Sequence, residues 1–200
     1  MRNITHIVLH CTASPEGREV SVKEIDRWHR QAGFAKIGYH YVIHLDGSVS
    51  TGRHLEEAGA HVAGHNATTI GISYVGGVSA NDVNIAKDTR TPAQKAAMFK
   101  LVSDLKARFP NAEVLGHRDF PGVSKACPCF DARKWWAEAN RHDASALTAP
   151  VAPKQAHKVA KGDTLYSIAR KYGTTLGKLT AANPGVRSDA LKIGQVINLP

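Results

Sequence analysis

Ile4-Thr5-His6-Ile7-Val8-Leu9-His10 is a short apolar run closed by a histidine, and it reads as a β-strand. Val114-Leu115 is a second such run, followed by Gly116 and then His117. Two histidines at the ends of two strands can stand side by side on one edge of a sheet. Cys127 lies ten residues beyond His117. Two imidazoles and a thiolate form a borderline-soft donor set that suits zinc. Four protein ligands would close the site, whereas three leave one tetrahedral position for water, the catalytic arrangement. A zinc finger would instead use tight local pairs. The chain holds eleven histidines, and a histidine beside a strand is often structural, so spacing by itself leaves both readings open.

The formal net charge of +9 over 200 residues suits an anionic partner, either nucleic acid or a cell wall. No Lys/Arg block or basic stripe studded with aromatics is present, which argues against nucleic acid. Residues 157–200 hold seven Lys/Arg against Asp163 and Asp189, a net +5. Three cysteines, one a candidate ligand, make no disulfide framework and fit a reducing cytosol. Cys11 and Cys129 read as packing around the site or as spare ligands. Ile7-Val8-Leu9 is shorter than the roughly 7–15 residues of a secretory apolar core, and no stretch approaches the ~18 apolar residues of a membrane span. The expectation is a protein made in the cytoplasm without a signal peptide, not inserted in a membrane, and monomeric.

Residues 143–156 are rich in Ala and Pro with little periodicity and read as a linker between domains at 1–142 and 157–200. The first domain reads as mixed α/β. Ser21-Val22-Lys23-Glu24 is a capping box that starts a helix at Val22, with Gly33 as its stop. Tyr39–Leu45 and Ser48–Thr51, joined by Asp46-Gly47, read as a hairpin with a type I′ turn. Ile70–Val75 reads as another strand. Thr91-Pro92 opens a second helix with Pro at its first position, and Met98, Leu101, Val102, Leu105 and Phe109 mark its buried stripe. Asp131 caps a last helix that packs Trp135. In 157–200, Thr164 caps a helix ending at Gly173, Thr175 caps one running to about Ala182, Asn183-Pro184 breaks it, and Leu191–Pro200 supplies a closing strand.

Four ordered blocks carry a resemblance over about residues 1–140. They are Val8-Leu9-His10-Cys11-Thr12-Ala13; Gly38-Tyr39-His40-Tyr41-Val42-Ile43 with Asp46-Gly47; Gly71-Ile72 through Val75-Gly76-Gly77; and Gly116-His117-Arg118-Asp119 through Ser124-Lys125-Ala126-Cys127-Pro128 to Trp135-Trp136. Together they resemble the zinc-dependent N-acetylmuramoyl-L-alanine amidases of the type-2 family, in the T7 phage lysozyme branch, relatives of the peptidoglycan recognition proteins. The resemblance implies a central mixed β-sheet flanked by helices. It implies one zinc on His10, His117 and Cys127, and a zinc-bound water that cleaves the amide between N-acetylmuramic acid and L-alanine. Tyr39 and Lys125 fall on the family's catalytic Tyr and Lys positions, and His61 and Asn66 in the region that lines the peptide groove. His40, His44 and His65 are not expected as ligands. Several members carry Asp as third ligand; Cys127 in its place favours the phage branch, and Cys129 leaves the choice of sulfur to the Lys125-Ala126-Cys127-Pro128 pattern.

Gly162-Asp163-Thr164-Leu165, Ile168-Ala169, Tyr172-Gly173 and the closing Gly194-Gln195, Ile197 and Pro200 resemble a LysM module in β-α-α-β order, which implies binding to N-acetylglucosamine-containing glycan. The combined expectation is an endolysin-like peptidoglycan hydrolase acting on the wall after release. The rivals are a recognition protein without activity, a thiol hydrolase, and a recycling amidase.

Overall fold

The structure, a computed structural model, describes residues 2–148, 156–183, 186 and 191–199. It comprises two compact units, Met1–Asp143 and Ala144–Pro200.

The first unit is built on a five-stranded sheet of β1 (His6–Cys11), β3 (Tyr41–Ile43), β4 (Val49–Thr51), β5 (Thr69–Tyr74) and β7 (Glu113–Gly116), in the order β4-β3-β5-β1-β7. β1 runs parallel to both its neighbours, β5 and β7, and only β4 is antiparallel. A small pair, β2 (Ser14–Pro15) with β6 (Gly77–Val78), continues the chain beyond β1 and β5. Side chains alternate across β1. Ile7, Leu9 and Cys11 enter the main core, whereas Val8 packs on the other face with Val62, Leu115 and Phe120. His10 shares the parity of Val8.

Helix α1 (Val22–Gln31) starts where Ser21 accepts from the Glu24 amide, and it buries Ile25 with Val20, Ile37, Val42 and Val75. Helix α2 (Pro92–Arg108) is opened by a Thr91/Gln94 capping box and buries Met98, Val102 and Leu105 against the opposite face. Buried Gln94 also donates from its side-chain amide to the carbonyls of Ile43 and Val75, tying the helix start to two strand ends. Helix α3 (Ala132–Thr148) is capped by Asp131, which accepts from the Lys134 amide. It runs on through 143–148, residues whose composition reads as linker: Ala-rich sequence without Gly or Pro has good helix propensity. The remaining linker residues before Ala156, and Pro184, lie outside the described residues.

The hairpin turn differs from expectation. Of Asp46 and Gly47 only Gly47 has positive φ, +85°, so a type I′ turn is excluded. His44 N–H donates to the Ser48 carbonyl and Gly47 N–H to that of His44. The result is a three-residue loop closing on a left-handed glycine, stabilised by Asp46 accepting from the Ser48 amide and hydroxyl.

In the second unit β8 (Ala156–Lys158) pairs antiparallel with β9 (Val196–Asn198). Between them lie α4 (Leu165–Lys171) and α5 (Leu176–Ala181), capped by Thr164 and Thr175. Their core is Val159, Leu165, Ile168, Ala169, Leu179 and Ile197. The closing strand is shorter than the sequence suggests, because a turn from Lys192 to Gln195, with Gly194 at φ +87°, interrupts extended structure before Val196.

Candidate metal centre

Register brings the two histidines together. Leu9 pairs with Gly116, so the next residue on each chain, His10 and His117, emerges at the C-terminal end of adjacent parallel strands. Open α/β sheets place their ligand sites at such ends. The two rings lie 4.7 Å apart between centroids. Cys127 arrives on the loop after the 3₁₀ turn His117–Asp119, with its Sγ 3.7 Å from His10 Nδ1. One donor atom from each of His10, His117 and Cys127 lies within 4.8 Å of the others, the sole such grouping among the described residues.

Several contacts hold the cysteine loop in place. Arg118 N–H donates to the Cys127 carbonyl at 2.8 Å. The buried Tyr74 hydroxyl donates to the Pro128 carbonyl at 2.9 Å. Gly116 lets the loop close on β7, because a Cβ there would stand 2.6 Å from Pro128 Cδ. Cys127 Sγ also accepts from the Cys11 amide at 3.3 Å. The Cys11 and Cys129 sulfurs face each other at 3.6 Å and stand outside the His/His/Cys grouping. Hydrogen bonding to Cys127 and burial push the Cys11 thiol up to about 12. Hydrogen bonding to Cys11 and burial push Cys129 up as well.

The donor set fits zinc on its chemistry. Burial, then the neighbouring His61 and His117, holds His10 well below the ordinary imidazole value. Burial and the Lys125 charge lower His117 too. Both rings are therefore neutral near pH 7, as metal ligation requires. The centre faces a cleft of about 780 Å³ whose walls include Phe34, Tyr39, His61, Asn66 and Lys125.

The Tyr39 ring lies 5.1 Å from those of both His10 and His29, and burial pushes its phenol far above the usual value, so the hydroxyl keeps its proton. Lys125 is exposed at the cleft edge, and among the described residues no carboxylate lies within ion-pair distance of it. His61 is turned toward the metal centre: its Nδ1 lies 3.0 Å from His10 Nε2. The Asn66 Oδ1 accepts from the amides of His61 and Val62, at 2.8 and 3.0 Å, so this side chain shapes the loop as well as lining the cleft. His40, His44 and His65 make other contacts. His40 Nδ1 accepts from the Gly71 amide, His44 pairs with Glu19 and Ser50, and the His65 ring lies 4.9 Å from Phe120.

Sequence reasoning passed over two groups near the site. His29 lines the cleft and accepts from the Gly38 amide at 2.8 Å. It lies one helical turn after Ile25, so the periodicity of α1 could have placed it on the buried face. Ser73 pairs with His10 across β5 and β1, and its Oγ is buried close to the Tyr39 hydroxyl. Nothing in its local sequence marks it.

Comparison with known proteins identifies the family. Residues 1–130 match the N-acetylmuramoyl-L-alanine amidase family and residues 157–200 the LysM domain. The chain is 39% identical over 132 residues to the endolysin of Klebsiella phage KP32, covering 66% of this chain and 85% of that one. It is 36% identical over 130 residues to the endolysin of Escherichia phage T7, with 65% and 83% covered. Among solved structures, the N-acetylmuramoyl-L-alanine amidase LysC from Clostridium intestinale superposes with a TM-score of 0.57 at 28% identity, covering 70% of this chain and 87% of that one. The two-strand histidine pair, the loop cysteine and the family match over residues 1–130 together establish that the chain belongs to the N-acetylmuramoyl-L-alanine amidase family and carries a LysM domain.

Proposed function

We propose that this chain is an endolysin-like peptidoglycan hydrolase that cleaves the amide between N-acetylmuramic acid and L-alanine with one zinc ion held by His10, His117 and Cys127. The observation that carries the reading is the convergence of those three donor atoms, within 4.8 Å of one another, facing an open cleft. Zinc bound there supplies a Lewis acid and a water acidified toward neutrality.

The chain's own groups divide the remaining work. His10 and His117 present neutral nitrogen donors, and Cys127 adds a thiolate that leaves the centre a formal charge of +1. Tyr39 Oη, still protonated, donates a hydrogen bond that orients the attacking water. Lys125 Nζ sets a positive charge beside the carbonyl oxygen as negative charge gathers on it, the kind of contact whose loss typically costs about 10²–10³-fold. Asn66 and His61 shape the groove that takes the stem peptide.

Residues 1–142 form the catalytic domain, 143–156 the connection and 157–200 the wall-binding module, acting as a monomer. The second unit exposes Tyr166 (61%) and Ile193 (72%), apolar surface against which sugar rings can stack, and the net +5 of residues 157–200 favours an anionic wall. Among the described residues no helix is long and apolar enough to cross a membrane. The protein reaches the wall after release from the cell that made it, and it acts on peptidoglycan rather than nucleic acid.

The test is metal analysis joined to product mapping on purified sacculi. One zinc per chain and new L-alanine amino termini are expected, with activity lost to chelators. Active protein free of metal would overturn the mechanism. It would favour a thiol nucleophile, for which the 3.7 Å Cys127–His10 contact also has suitable geometry. A zinc-loaded protein that binds sacculi and releases no amino termini would instead make this a recognition protein.

A further inference from the structure

The hydrogen bonds behind His10 run in one direction, and that direction decides which nitrogen His10 can offer. The chain starts at a group with no choice. The His65 carbonyl can only accept, and the Thr69 hydroxyl donates to it at 3.0 Å, the shorter of its two contacts, so the geometry places the single hydroxyl proton there. Thr69 Oγ1 is also 3.3 Å from His61 Nε2. With its proton spent, the oxygen can only accept, so His61 carries its proton on Nε2. His61 Nδ1 is then a bare lone pair, and at 3.0 Å it accepts from His10 Nε2. His10 therefore holds its proton on Nε2 and leaves Nδ1 free. Nδ1 is the atom that faces Cys127 Sγ, at 3.7 Å.

The relay is enclosed. His10, His61 and Thr69 are all buried, and a hydrogen bond in such a low-dielectric setting is electrostatically stronger than in water. The His61 ring is seated by glycines: a Cβ on Gly59 would stand 2.3 Å from its Cδ2, and one on Gly71 2.7 Å from its Cδ2 and Cγ. Its backbone is held by Asn66 Oδ1, which accepts from the His61 amide.

We propose that His61 is a positioning residue for the metal centre, fixing His10 in the tautomer whose Nδ1 lone pair is free to hold a metal, and that Thr69 and the His65 carbonyl set the polarity of that relay. This role rests on the zinc reading above. It differs from substrate contact, which would change KM and leave metal affinity alone. Partners that orient a ligating histidine typically alter metal affinity about 10–100-fold when removed.

The experiment measures zinc dissociation constants of the full chain by competition with a chromophoric chelator, with thermal melts as a control for folding. His61→Leu removes the acceptor and is expected to weaken zinc binding by about 10–100-fold. His61→Gln, which can offer a carbonyl oxygen to His10 Nε2, is expected to recover most of that loss. Thr69→Val keeps the shape and removes the hydroxyl. It is expected to weaken binding by a smaller factor, because His61 is then free to carry its proton on either nitrogen. Imidazole ¹⁵N–¹H correlation spectra of the zinc-loaded wild type are expected to show the His61 proton on Nε2. They need no variant, so the test survives any substitution that fails to fold. Wild-type protein that binds no zinc would overturn the zinc reading. Wild-type protein that binds zinc, with a folded His61→Leu variant of equal affinity or a His61 proton found on Nδ1, would overturn the positioning role alone.

Discussion

Gly71→Ala tests how tightly the sheet is fitted to the metal centre. Gly71 lies in β5, paired with Val8 of β1, and its amide donates to His40 Nδ1 at 3.0 Å, so the backbone has little room to yield. An added Cβ would stand 2.7 Å from His61 Cδ2 and Cγ and 2.9 Å from Nδ1, against 3.4 Å for the start of ordinary contact. The ring must therefore retreat by about 0.7 Å. Along the His10–His61 bond, that retreat lengthens 3.0 Å to roughly 3.7 Å, beyond hydrogen-bond range. Across the bond, it turns the Nδ1 lone pair off its donor. Overpacking of this kind costs about 1–3 kcal/mol, which lowers Tm by roughly 2–12 °C for a chain of this size. Zinc affinity is expected to fall by about tenfold, the lower end for a disturbed ligand partner. Chelator competition and a thermal melt read the two effects separately. In a double-mutant cycle, Gly71→Ala combined with His61→Leu should lose no more zinc affinity than His61→Leu alone, since both act through one contact. A Gly71→Ala protein with the expected drop in Tm and a wild-type zinc dissociation constant would refute the reasoning.

Other perturbations separate the remaining roles. Cys127→Ser is expected to lose most of the zinc, whereas Cys11→Ser and Cys129→Ser keep it; elemental analysis decides, and full zinc retention by Cys127→Ser would move the ligand elsewhere. Tyr39→Phe and Lys125→Ala are expected to lower kcat by about 10²–10³-fold with zinc content unchanged, because neither supplies a donor atom to the grouping; parental rates on sacculi would reject both assignments. A fragment of residues 1–148 should hydrolyse soluble muropeptides normally and intact sacculi poorly at low enzyme concentration, since it lacks the wall-binding unit that raises local concentration; equal activity on sacculi would remove the targeting role. Asp163 lies below its ordinary value of 3.8 because it accepts from the Ala160 amide and then from His157. A carboxylate depressed on folding adds stability above the unfolded value that is lost as pH falls through the folded one. Asp163→Asn should therefore flatten the acid limb of the melting profile below about pH 4, and an unchanged limb would show that the bond contributes nothing there.

The local features were open to sequence reading because their causes are local. Ser21, Thr91, Asp131, Thr164 and Thr175 cap helices where short-range hydrogen bonding predicts. The parity of Val8 and His10 against Ile7 and Leu9 follows from strand alternation. Where two local solutions compete, reading fails: Asp46-Gly47 suits both a two-residue and a three-residue loop, and the pairing of His44 with Ser48 selects the longer one. The helix running to Thr148 shows the same limit, since Ala-rich sequence is equally at home in a linker and in a helix.

The sequence alone pointed to the type of donors, to most of the elements and to the family, because residue chemistry and motif spacing are written along the chain. The tertiary structure decided what depends on register and on partners distant in sequence. Pairing of Leu9 with Gly116 sets His10 beside His117, and the loop path after His117 aims the sulfur of Cys127, rather than Cys129, at them. His61 hydrogen-bonds His10 from 51 residues away. No periodicity or spacing encodes that contact, because it exists only once β1 and β5 have paired and Gly59 and Gly71 have left room for an imidazole against the sheet.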